Sequence, residues 1–194
     1  LGFLVGLAAG RAGAAPALRL AREGRTDYAI VKAADLTEAE AFAAEELASY
    51  LGKITGATFR VLAETDKLPA AGCLFVGQTE AARRAGVDFA KLGEEEWVLR
   101  ASGRDLIVTG GRPRGTLYAV YELLERHFGC HWLDESTEVV PKKPDLSLRP
   151  LRVRGKPAIA VRAISGGYYM IDTAMYSRDQ PYRARNRVNG VGSG

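Results

Sequence analysis

Ala39, Phe42, Ala43, Leu47, Tyr50, Leu51 and Ile54 recur every three or four positions, the period of one buried helical face. Thr37, with Glu40 three residues on, supplies a capping box for the start of that helix, and Gly56 supplies its end. A second run, Leu117, Val120, Tyr121, Leu124 and Phe128, predicts one amphipathic helix closed by Gly129. It is entered through Gly110-Gly111-Arg112-Pro113-Arg114-Gly115, where two glycines let the chain reverse and Pro113 presets φ for the first helical turn. Between and around these helices, β-rich runs predict strands at 28–31, 58–62 and 73–77. Residues 96–100 and 105–109 read as a hairpin about Ser102-Gly103. His131-Trp132-Leu133 reads as a short strand that residues 138–141 extend or pair with, and 78–92 as a surface excursion holding a short helix.

The expected fold class is therefore α/β in the broad sense, an α+β mixed sheet covered by two main helices, over residues 25–148. Pro141, Pro144, Pro150 and Pro157, with charges between them, suit an extended connector. Beyond it the pattern restarts: 158–164 as a fresh strand, 182–188 as a helix, and Asn189-Gly190-Val191 as a turn into a further strand. The chain divides on this reading into a signal-peptide remnant and structureless lead at 1–24, an accessory α/β domain at 25–148, and a connector with the first strand and helix of a second domain at 149–194.

With 47% hydrophobic and 26% charged residues the composition is that of an ordinary globular protein. The formal charge of +4 is unevenly spread. Residues 1–141 hold 16 basic against 20 acidic residues, whereas 142–194 hold 11 against 3. The basic residues after Pro141 form neither a stripe with stacking aromatics nor a reading motif, so no nucleic-acid role is expected. The apolar opening, followed by Ala12-Gly13-Ala14, reads as the remnant of a secretory signal peptide, with a loosely packed apolar terminus as the other reading. No apolar run reaches the roughly 20 residues of a membrane span. Cys73 and Cys130 sit in apolar contexts and are read as two buried thiols in preference to a bridge.

Candidate chemistry is sparse. The glycine turn follows a strand and opens a helix, the setting of a phosphate cradle, but matches neither the dinucleotide nor the P-loop spacing, so a tight structural turn is the leading reading and no cofactor is expected. Arg112 and Arg114 are free on this reading to face an adjoining domain or a small anion. His127 and His131 are separated by the helix end at Gly129, which denies them a shared zinc-binding face. Glu45-Glu46 and Glu94-Glu95-Glu96 read as solvated faces, and Ser102, Ser136 and Ser165 lack a nucleophile-elbow context. Tyr168, Tyr169, Met170, Tyr176 and Tyr182 cluster, either to stack on sugars or to pack within the second domain. Arg162 stands out, because a charge between Val161 and Ala163-Ile164 is costly to bury without a partner.

Residues 37–56, the Arg114-Gly115-Thr116-Leu117-Tyr118 helix entry and Gly129-Cys130-His131-Trp132 together resemble the N-terminal accessory α/β domain of alpha-glucuronidase-like proteins. The segment is also similar to the non-catalytic second domain of family 20 beta-hexosaminidases, although His131 stands where that pattern has Arg. The resemblance implies secretion or periplasmic location, a carbohydrate substrate, and a TIM-type barrel of which 149–194 is the truncated start. Catalytic carboxylates would then lie on later barrel strands. It also implies that Arg162 contacts the sugar beside the scissile bond. The alternative is a carbohydrate-binding or cell-surface structural module without hydrolysis.

Overall fold

The computed structural model describes residues 16–70, 72–160, 162 and 181–189. The elements run β1 (Leu18–Ala21), β2 (Ala29–Lys32), α1 (Glu38–Thr55), β3 (Arg60–Ala63), β4 (Cys73–Val76), α2 (Glu80–Arg84), β5 (Trp97–Ser102), β6 (Asp105–Gly110) and α3 (Gly115–Glu122). They continue with β7 (His131–Trp132), β8 (Glu138–Val139), β9 (Leu146–Leu148), β10 (Arg152–Gly155) and α4 (Pro181–Arg185). Six strands form one sheet in the order β10-β5-β6-β4-β2-β3. The pairs among β3, β2, β4 and β6 are parallel, whereas β5 runs antiparallel to both β6 and β10.

Strand alternation divides the core into two layers. Ile30, Leu74, Val76, Leu99, Leu106 and Val108 point to the face covered by α1 and α3. Val31, Phe75, Val98 and Ile107 point to the opposite face, under Ala82 of α2 and Val87. Parallel strands buried on both sides need continuous apolar runs, which is why Cys73-Leu74-Phe75-Val76 contains no polar residue. α1 begins with the expected capping box, Thr37 and Glu40 exchanging bonds, and ends on Gly56 in the left-handed region at φ 79°. Cys73 and Cys130 are buried and free. No closed barrel occurs among the described residues, and no described helix is long and apolar enough to cross a membrane.

Several segments depart from expectation. Leu18–Ala21, placed by the sequence in a structureless lead, pairs with Leu146–Leu148 and buries Leu18 and Leu20. The Leu-Arg-Leu alternation has strand period, but it follows directly on an alanine-rich run. Arg152–Gly155, expected within an extended connector, is the edge strand beside β5. Pro150 and Pro157 bracket it, and an edge position tolerates prolines at its ends. The strand expected at 158–164 is absent where described: residues 158–160 bend and Arg162 is not in a strand. The Arg162 guanidinium donates back to the carbonyls of Ile159 and Ala160, which occupies the acceptors a ladder would use. The helix expected at 182–188 stops at Arg185, because Arg187 adopts a positive φ of 54°. Pro113 lies in a cis Arg112–Pro113 peptide ahead of Gly115, the first residue of α3, rather than in the first helical turn. α3 itself passes into a π-helical stretch at Leu123–Phe128 before the left-handed Gly129.

Candidate functional site

Three arginines of the C-terminal segment converge on the α1–α3 side of the domain, each seated on a carboxylate and an aromatic ring. Arg162 Nη2 donates to both oxygens of Glu95 at 2.9 Å, and its guanidinium lies 5.8 Å from the Tyr118 ring centre. Arg185 reaches Glu46 through Nε at 2.8 Å and Nη2 at 3.1 Å, 5.2 Å from the Tyr50 ring. Arg187 spans Glu122 at 3.1 Å and Glu125 at 2.9 Å, 5.8 Å from the Trp97 ring. Asn189 adds an amide donor to Glu95 at 2.7 Å.

The receiving side is built by ordinary helix and strand geometry. Glu46 is buried on α1 and also accepts from the Tyr121 hydroxyl at 3.2 Å. Burial first, then the nearby Glu46 charge, holds the Tyr121 hydroxyl well above its ordinary pKa. Burial and Glu95 act in the same direction on Tyr118. For Arg185, burial lowers the guanidinium pKa, but the bonds to Glu46 outweigh it and the net shift is upward. Glu95 receives Arg114 Nε at 3.2 Å as well as Arg162, so the carboxylate sits between cations from both segments. Glu46 and Glu95, expected on solvated faces, are thus enclosed and neutralised. Deeper in the same layer, Trp132 Nε1 donates to Tyr50 Oη at 2.7 Å, and Tyr50 Oη donates to Glu138 at 2.5 Å. Lys53 completes that chain at 2.7 Å.

The glycine turn is a packing device. A Cβ on Gly111 would lie 1.9 Å from the Gly93 carbonyl oxygen, and one on Gly115 would lie 2.2 Å from that of Glu96. The amides of Gly111 and Arg114 already donate to Glu96 and Glu94 carbonyls, and that of Gly115 to Gly111. Arg112, read as free for an anion, instead holds Glu40 at 2.9 Å and Asp35 at 3.0 Å. His127 and His131 are exposed, and no group of metal-ligating side chains assembles among the described residues. Of the tyrosine cluster only Tyr182 is described, donating to the Leu133 carbonyl; Tyr168, Tyr169, Met170 and Tyr176 lie outside the described residues.

Arg162, the candidate site residue of the sequence, has every N–H of its five-donor fork engaged: Nε on the Arg187 carbonyl, Nη1 on Ile159 and Ala160, Nη2 on Glu95 and Tyr118. Arg185 and Arg187 were not singled out by local pattern. The signal that could have found them is the charge asymmetry, since an acidic domain followed by a basic segment is electrostatically complementary to it.

Residues 20–123 match the family described as the glycosyl hydrolase family 67 N-terminus. The chain belongs to this family. The matched span of the family 67 N-terminal domain runs from within β1 to the end of α3 and so includes the capping box, the glycine turn, Glu46 and Glu95. Among solved structures, it is similar to a family GH115 4-O-methyl-alpha-glucuronidase with specificity for decorated arabinogalactans, at 22% identity and a TM-score of 0.49 over 70% of this chain. It is also similar to a GH138 enzyme targeting pectin rhamnogalacturonan II, at 18% identity and a TM-score of 0.40, again over 70% of this chain. The chain covers 18% and 12% of those two proteins. No curated protein matches the chain.

Proposed function

We propose that this chain is the non-catalytic N-terminal accessory domain of a secreted, carbohydrate-active glycoside hydrolase of alpha-glucuronidase-like type, and that residues 149–194 lead into its catalytic body. The observation that carries this reading is the triple seating of Arg162, Arg185 and Arg187 on carboxylate–aromatic pairs. A partly desolvated guanidinium held by carboxylate oxygens and stacked on a ring is positioned far more firmly than an exposed ion pair. The domain would act as a mount, fixing the direction in which the following chain leaves its sheet.

In the same reading Arg162 is the sugar-contacting residue of the whole protein, positioned by Glu95. Its longest bonds, to Tyr118 Oη at 3.4 Å and the Ala160 carbonyl at 3.3 Å, are those a sugar hydroxyl would replace. Glu46 and Glu95 serve the mount and not the chemistry, because a general acid or nucleophile neutralised by arginine on a packed face has no bond to act on. The competing possibility is a carbohydrate-binding or cell-surface module without hydrolysis.

Hydrolysis assays separate them. The 194-residue chain is expected to release nothing from 4-nitrophenyl alpha-glucuronide or beta-N-acetylglucosaminide, and the protein extended beyond Gly194 is expected to turn over one of these. Sugar binding without turnover in the extended protein would favour the module.

A further inference from the structure

On the sheet face opposite α1 and α3, Arg100 of β5 and Arg152 of β10 stand directly across from each other in the antiparallel ladder. Like charges at a cross-strand position repel, and such a pair is ordinarily separated or bridged by an acid. Their neighbours are bridged: Arg154 holds Glu96 at 2.8 Å and Lys91 holds Asp88 at 2.9 Å. Among the described residues no carboxylate pairs with Arg100 or Arg152. Arg100 Nη1 donates to the Ala85 carbonyl, whereas its buried Nε has no partner. Burial, and after it the charge of Arg152, depress the Arg100 guanidinium below its ordinary pKa. A cleft of about 390 Å³ opens at this pair, with Val87, Leu92 and Val98 in its wall and the bridged Asp88–Lys91 pair and Arg154 at its margin.

We propose that Arg100 and Arg152 form a binding site for the carboxylate of a small organic acid, whose carbon body rests on the valine and leucine wall of the cleft. Two planar guanidinium forks on adjacent strands match the two oxygens of a carboxylate, and a bound anion turns the cross-strand repulsion into attraction. The volume falls within the range of small-ligand clefts, and the positive residues Lys91, Arg100, Arg152 and Arg154 outnumber the single carboxylate Asp88 in its lining, which favours an anion. This site is separate from the mount on the other face of the sheet, so it stands or falls independently of the hydrolase reading.

The test uses calorimetric titration and thermal unfolding of the 194-residue chain with D-galacturonate, with D-galactose as the uncharged ring control, and with sodium chloride at matched ionic strength. Galacturonate is expected to bind saturably and raise Tm, and galactose and chloride to do neither. Arg152→Gln, at an exposed edge-strand position, is expected to keep the circular dichroism spectrum and weaken binding by about tenfold or more. Arg152→Glu places an acid opposite Arg100 and is expected to raise Tm without ligand and abolish the galacturonate response. No saturable binding to the native chain, equal binding of galactose, or an undiminished response in Arg152→Glu would overturn the proposal.

Discussion

Arg185 and Glu46 lie 139 positions apart in the chain and are joined by two hydrogen bonds, at 2.8 and 3.1 Å. The side chains are 17% and 9% exposed, so the pair is largely out of water. Breaking an enclosed pair costs about 3–5 kcal/mol, but a released C-terminal segment returns water to Glu46. Arg185→Ala is therefore expected to lose about 2 kcal/mol in urea unfolding, and Glu46→Gln in the same background to recover part of it by removing the stranded charge.

Gly111 has no positive φ, so its substitution is a purely steric matter. Gly111→Ala drives a methyl into the Gly93 carbonyl and is expected to cost about 3 kcal/mol, read as a lowered midpoint with an unchanged m-value. Gly103→Ala, where a Cβ meets nothing within 4 Å but φ is 61°, is expected to cost about 1 kcal/mol from backbone strain alone.

Tyr50 is the centre of the Trp132–Tyr50–Glu138 chain. Tyr50→Phe leaves the Trp132 indole N–H without its acceptor in a buried layer, for an expected loss of about 2 kcal/mol. A changed tryptophan emission of the folded state, read against the same substitution in a Trp132→Phe background to remove the Trp97 contribution, checks it.

Burial raises the thiols of Cys73 and Cys130 to about 11. A folded-state pKa above the unfolded value of 9.0 means that, between pH 9 and 11, the unfolded chain has lost protons that the folded chain retains. Stability is then fully present below pH 9 and falls as pH rises toward 11. The raised hydroxyls of Tyr50, Tyr118 and Tyr121 act in the same direction at higher pH. At pH 8 both thiols should resist a disulfide reagent until denaturant is added, and labelling of the folded chain would show that one of them is reachable.

Much of the central sheet was legible because its determinants are local. The Thr37–Glu40 capping box, Gly56, Gly129 and the Ser102-Gly103 hairpin follow from backbone chemistry within a few residues, and the structure reproduces them within a position or two. What the sequence withheld was long-range. Leu18–Ala21 becomes a strand only because Leu146–Leu148, far along the chain, offers it a ladder. The local pattern reads the glycine pair as freedom to turn, whereas Gly110, Gly111 and Gly115 admit the backbone of residues 93–96, which no local pattern encodes. A charge among apolar residues implies a partner for Arg162, but no local pattern identifies Glu95, 67 positions away, as that partner.

The mounting of the C-terminal segment on the domain is tested most directly by hydrogen exchange in the chain carrying both Glu46→Gln and Glu95→Gln. The amides of Asn186, Arg187, Val188 and Asn189, all hydrogen-bonded in the native chain, are expected to exchange much faster, while Val31, Leu74 and Val108 in the sheet keep their protection. Unchanged protection at 186–189, or loss in step with the sheet, would contradict a mount made by these carboxylates.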